Sequence, residues 1–152
     1  NLGDRVQTIR DAIAKLDAHP DIKVKRISPL FESFAMTANG IDESEPNYLN
    51  GVIEVSTSLK PKRLLAALNE LENQFGRVRL ERWAARTLDI DIISYGSELV
   101  ETKSLVIPHP RAHERAFVLV PWAELDPEAV LPGHGKVADL AEPIANQVWR
   151  FE

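Results

Sequence analysis

The chain has 152 residues, no cysteine and a formal net charge of -5, with 44% hydrophobic and 27% charged residues. That length and balance predict one globular domain with an ordinary core, residues 1–152 forming a single unit, and exclude a disordered chain, a disulfide framework and thiolate metal ligation. The acidity argues against a broad nucleic-acid footprint, no apolar run reaches membrane-spanning length, and the absence of cysteine agrees with a cytoplasmic address.

Val6, Ile9, Ile13 and Leu16 recur at helical spacing after Gly3-Asp4 and stop before His19-Pro20, which predicts a first helix. Ile22 to Phe34 reads as a strand broken at Pro29, and Ala35 to Asn47, with Asn39-Gly40 and Pro46, as a loop able to move. Tyr48 to Thr57 reads as one strand, with Tyr48 and Asn50 sharing a face. Pro61 opens a second helix carrying Leu64, Leu68, Leu71 and Phe75, which Gly76 is placed to end as a left-handed cap. A strand over 87–94 follows, then a turn at Tyr95-Gly96-Ser97 and a short extended run at Leu105-Val106-Ile107. Phe117 opens an apolar stretch in which Pro121 limits any helix. Past Asp126-Pro127 the tail reads as a loop, a short helix from about Asp139 and a frayed end.

The predicted strand 87–94 carries the most informative pair, Asp89 and Asp91. Residues two apart in a strand share a face, so both carboxylates project together while Leu88, Ile90 and Ile92 line the other side. Carboxylates ~7 Å apart repel by roughly 2 kcal/mol at an effective dielectric near 20, a cost that a bound hard cation turns into attraction. Just upstream stand Arg77, Arg79, Arg82 and Arg86, opposed only by Glu81. An arginine group beside an acid pair suits a nucleoside triphosphate carried with magnesium.

Other candidates read more plainly. Tyr48 and Asn50 could form a platform for a flat heterocycle, or simply pack at a strand start and bond to a loop. Glu72, near the arginine segment, could orient an arginine or meet a nucleotide, though an exposed helical Glu is commonplace. His109, held between Pro108 and Pro110 and followed by Arg111 and Arg115, could donate to phosphate. On residue types alone, an RNA- or metabolite-binding domain and a different metal-dependent nucleotidyl or γ-phosphoryl transferase stay open; no Gly-x-x-x-x-Gly-Lys loop supports a P-loop enzyme.

The segment Arg82-Trp83-Ala84-Ala85-Arg86-Thr87-Leu88-Asp89-Ile90-Asp91-Ile92-Ile93 resembles the signature of the 6-hydroxymethyl-7,8-dihydropterin pyrophosphokinase family. Asn1 to Arg5, Asn47 to Asn50, Phe75 to Arg79, and Pro108 to Arg111 with Arg115 to Leu119 resemble its other landmarks in the right order, so the resemblance covers nearly the whole chain. It implies an α+β, ferredoxin-like α-β sandwich with a mostly antiparallel sheet. Family members begin with a strand running into Gly-Ser-Asn, so that first, internal strand is expected before Asn1 and is missing from the sequence as given.

The resemblance implies a folate-pathway enzyme that moves pyrophosphate from ATP to the reduced hydroxymethylpterin and releases AMP, with two Mg²⁺ ions held by Asp89 and Asp91. Arg77 and Arg86 would bind the transferred group. Asn69, Glu72, Arg79, Arg86, Ile92, His109 and Arg115 would contact ATP, and Trp83 would close over the site against both substrates. Tyr48 and Phe117 would lie against the pterin faces with Asn50 on its edge, which replaces the plainer reading of Tyr48. No nucleic-acid or membrane partner is implied, and fusion to other folate-pathway enzymes is open. Ala84-Ala85 stands where Gly-Pro is commoner, and the segment 35–47 lacks the Pro-Pro-x-Gly type of cover, so its pterin contacts do not transfer.

Overall fold

The helical spacing of Val6 and Leu16 becomes α1, Leu2–Ala18, with Val6, Ala12 and Leu16 buried on one side, and the helix stops ahead of Pro20 as expected. This computed structural model describes residues 2–37, 40–76 and 88–151, and over them the protein is α+β, with antiparallel strand pairing and four α-helices. β1 (Ile22–Ile27) and β2 (Phe31–Ser33) flank the expected break at Pro29. Then come β3 (Ala35–Thr37), β4 (Gly40–Asp42), β5 (Tyr48–Asn50), β6 (Ile53–Thr57) and α2 (Pro61–Gly76). The chain continues through β7 (Val100–Glu101), β8 (Val106–Ile107), α3 (Ala116–Leu125), β9 (Val130–Leu131), β10 (Gly135–Lys136), α4 (Val137–Ala141) and β11 (Trp149–Arg150). No helix among the described residues is long and apolar enough to cross a membrane.

Two compact units divide the chain, one of residues 1–2, 26–54 and 110–152, the other of residues 3–25 and 55–109. In the first, β11, β2 and β5 form an antiparallel three-stranded sheet in that order. Phe31 of β2 is buried with Ala116 and Val148, and Phe117, Val120 and Ile144 pack against this cluster. Arg26 reaches Glu54 at 2.8 Å and the carbonyl of Leu125 at 3.2 Å. In the second unit, Leu64, Leu68 and Leu71 form the buried stripe of α2, and Lys15 of α1 donates to Gln74 of α2 at 3.0 Å. The Tyr95 hydroxyl donates to the carbonyl of Leu59, tying the turn after the acid pair to the entry of α2.

Several expectations need correcting. Residues 35–37 and 40–42 are not irregular: β3 and β4 pair antiparallel, Ala35 opposite Asp42 and Thr37 opposite Gly40, whose φ of 97° only glycine adopts without strain. The run 48–57 is two strands, because Ser28 exchanges bonds with Val52 where a ladder would continue. Its N–H donates to the Val52 carbonyl, and the Val52 N–H donates to its Oγ, both at 2.9 Å. Gly51 lies at this break, where an added Cβ would come within 2.8 Å of the Leu30 side chain. Gly76 is itself the last helical residue rather than a left-handed cap, since right-handed backbone is equally open to glycine. Pro121 sits inside α3, which continues to Leu125; its ring is fully buried in an apolar helix whose Val118 and Leu119 are also buried, and that burial offsets the lost backbone bond. The chain end is not frayed, for β11 pairs with β2 and the Phe151 N–H donates to the Leu30 carbonyl. Residues 88–94, expected as a strand, form no ladder among the described residues.

Ser28 is 5% exposed, and its hydroxyl both donates to the Pro29 carbonyl and accepts from Val52. Ser28→Ala strands the part-buried Val52 N–H and is expected to cost about 1–3 kcal/mol in urea unfolding, with the slope unchanged.

Candidate active site

The acid pair belongs to the unit of residues 3–25 and 55–109. Leu88 and Ile92 are buried, at 8% and 9% exposure, while Asp89 and Asp91 are both exposed. This alternation is what extended backbone produces when one side is anchored in a core, so the carboxylates share the solvent side even without a strand partner. The Ile90 N–H, between them, donates to Glu72 Oε2 of α2 at 2.6 Å. Two residues past Asp91, the Ile93 carbonyl accepts the His109 N–H at 2.8 Å, which brings half-buried His109 beside the acid segment. The Ile107–Pro108 bond preceding it is cis. Asn69, exposed, and Glu72, half-buried, are three residues apart on α2 and neighbours on its surface. The Ile92 side chain is committed to the core, which leaves its main chain as the part a ligand could reach.

An all-oxygen pair of exposed carboxylates suits a hard divalent cation such as Mg²⁺ rather than a thiolate- or imidazole-seeking metal. No group of three or more acidic or histidine side chains that could hold a metal occurs among the described residues. The donor set therefore fits a cation that completes its shell with water and phosphate oxygens, the usual habit of magnesium.

The second group of candidates lies in the unit of residues 1–2, 26–54 and 110–152. The β2–β5 register sets Phe31 opposite Asn50 and Ser33 opposite Tyr48. Directly opposed residues of an antiparallel pair project to the same face, so exposed Tyr48, half-buried Asn50, Phe31 and Ser33 share one. Half-buried Phe117, in the first turn of α3, packs against the cluster that contains Phe31. The Arg115 guanidinium, at the N-cap of the same helix, sits 5.5 Å from the Phe117 ring centroid. An aromatic ring, a carboxamide and a second aromatic ring thus gather around one sheet face. Arg77, Arg79, Trp83 and Arg86 lie outside the described residues.

A model of the family described as 7,8-dihydro-6-hydroxymethylpterin-pyrophosphokinase (HPPK) matches residues 1–127. The chain belongs to this family. A 2-amino-4-hydroxy-6-hydroxymethyldihydropteridine pyrophosphokinase from Synechocystis is 40% identical over 151 residues, 98% of this chain and 75% of the relative. The protein of the same name from Bacillus subtilis is 40% identical over 125 residues, covering 82% and 72% of the two chains. A bifunctional protein, FolKE, from Lactococcus lactis is 37% identical over 125 residues, covering 82% of this chain but 35% of its own length.

Two features of this site were not visible in the sequence. Glu72 meets a main-chain N–H of the acid segment, a partner that helical position cannot reveal. Ser33, 8% exposed on the face of Tyr48 and Asn50, has an Oγ with no hydrogen-bond partner among the described residues. Only the strand register shows what it faces. Because that hydroxyl is unsatisfied in the protein alone, Ser33→Ala is expected to leave the ligand-free melting temperature unchanged or raise it, where an ordinary bonded serine would lose about 1 kcal/mol; differential scanning calorimetry reads the sign.

Proposed function

We propose that the protein transfers the pyrophosphoryl group of ATP to 6-hydroxymethyl-7,8-dihydropterin, giving the pterin diphosphate and AMP in folate biosynthesis, through the residues assembled above. The observation that carries the site assignment is the exposure of Asp89 and Asp91 between buried Leu88 and Ile92. The hydroxymethyl oxygen forms a bond to the β-phosphorus of ATP as the bond from that phosphorus to the α,β-bridging oxygen breaks. AMP departs with the bridging oxygen, and the hydroxyl proton passes to solvent. Such a transfer demands in-line positioning and charge neutralisation rather than covalent participation by the protein.

Asp89 and Asp91 would hold the magnesium, two ions in this reading; when bound, it neutralises the triphosphate and lowers the cost of charge on the reacting oxygens. Arg77 and Arg86 clamp the migrating diphosphate, while His109, Arg79 and Arg115 meet nucleotide phosphates. Asn69 and the Ile92 main chain are assigned to the nucleoside, and Trp83 to both substrates. The pterin lies against Tyr48 and Phe117, with the Asn50 carboxamide and the unsatisfied Ser33 hydroxyl directed at its polar rim. A flat heterocycle gains from aromatic contact on its faces and from directional donors and acceptors at its edge, which these residue types supply.

The family model spans residues from both compact units, which supports reading them as one catalytic domain, and membership supports the ferredoxin-like sandwich as its finer class. We place the activity in the cytoplasm, where ATP is supplied. The bifunctional relative supports association or fusion with other folate-pathway enzymes.

Incubation with ATP, Mg²⁺ and the reduced pterin is expected to yield AMP and the pterin diphosphate; ADP instead would replace this reading with simple phosphoryl transfer. Asp91→Ala is expected to lower AMP formation by about 10²-fold or more while leaving circular dichroism and thermal unfolding near those of the parent. Undiminished turnover in that variant removes the cation role.

A further inference from the structure

We infer that Glu72 is a positioning residue for the acid pair, acting through the main chain of Ile90 rather than as a charge on the ligand. The Ile90 peptide lies in a segment, residues 88–94, that forms no ladder among the described residues. Its N–H is instead held by Glu72 Oε2 at 2.6 Å, a charge-assisted bond from a helix anchored by buried Leu68 and Leu71. The Ile90 peptide is the link between the two aspartates, and its rotation would swing one carboxylate away from the other. Leu88 and Ile92 anchor the ends of the segment and Glu72 its middle. The inference rests on the assignment of Asp89 and Asp91 to the cation.

The test combines amide NMR of the full chain, free of metal and substrate, with a Mg²⁺ titration of AMP formation. In the parent, the Ile90 amide proton is expected well downfield and slow to exchange. Glu72→Ala should abolish that signature and raise the Mg²⁺ concentration for half-maximal activity about tenfold. Glu72→Gln, which keeps an acceptor without the charge, should restore the signature and bring the requirement back to within about threefold of the parent. A parent Ile90 amide at an unbonded shift overturns the inference, as does a Gln variant no better than Ala, which would mean that Glu72 works by charge. Should the Ala variant fail to fold, the parent resonance and the Gln titration decide. Full turnover by Asp91→Ala overturns the cation assignment and the positioning role with it; absence of the Ile90 signature in the parent overturns only the latter.

Discussion

The proposed chemistry depends on how a short segment keeps two like charges on one side of the backbone. Burying an aliphatic side chain is worth about 1.5–3 kcal/mol, so Leu88 and Ile92 together outweigh the roughly 2 kcal/mol by which two carboxylates ~7 Å apart repel at an effective dielectric near 20. The alternation therefore holds before any cation binds, and Asp89 and Asp91 are presented in advance. Such preorganisation matters in phosphoryl chemistry, where the protein contributes geometry and charge and has little bond-making of its own to do.

The proposed ring recognition sets a different demand on the fold. Tyr48, Asn50 and Ser33 owe their common face to antiparallel register, which a slip of one residue would scatter to opposite sides. The break at Gly51 and Val52 ends β5 just after Asn50, and the paired bonds of Ser28 stabilise that end point. Phe117 and Arg115 come from the start of α3, so the platform draws on one sheet face and one helix terminus within the same unit. A pair of acids needs a rigid local backbone, whereas a flat ring needs a register shared by two strands.

Much of this was legible from sequence because it rests on periodicity. α1 and α2 announced themselves through apolar spacing with Pro20 and Pro61 as punctuation, and the exposure of the acid pair followed from a period of two. Pro121 misled because a proline rule describes backbone bonds alone, and the burial of Pro121 with Val118 and Leu119 outweighs one missing bond. The pairing of β3 with β4 was hidden because Asn39-Gly40 signals a turn without saying whether its flanks pair. The segment 88–94 has strand composition and strand alternation but no ladder among the described residues, since composition reports burial on one face and not the presence of a neighbour. Ser33, with no Oγ partner among the described residues, carries no local signal, and Glu72 signalled only its nearness to the arginine segment, since its bond is to a main-chain N–H 18 residues on.

The C-terminal residues show why a family match and a folding unit need not share a boundary. The family model ends at residue 127, yet β11 pairs Trp149 with Glu32 and Arg150 with Phe31, making it the neighbour of β2 on the side away from β5. Val148 is buried with Phe31, Ile144 packs on the same cluster, and the Trp149 ring meets Phe34 edge-on at 5.0 Å. Arg150 also reaches Glu124 of α3 at 2.6 Å, an exposed pair worth little energetically but consistent with the register. β2 carries Ser33 and orders Tyr48 and Asn50, so without β11 it would have lost one flank and become an edge strand, its unpaired groups exposed. The tail adds no candidate chemistry; it holds in place the strand on which the proposed pterin platform is built.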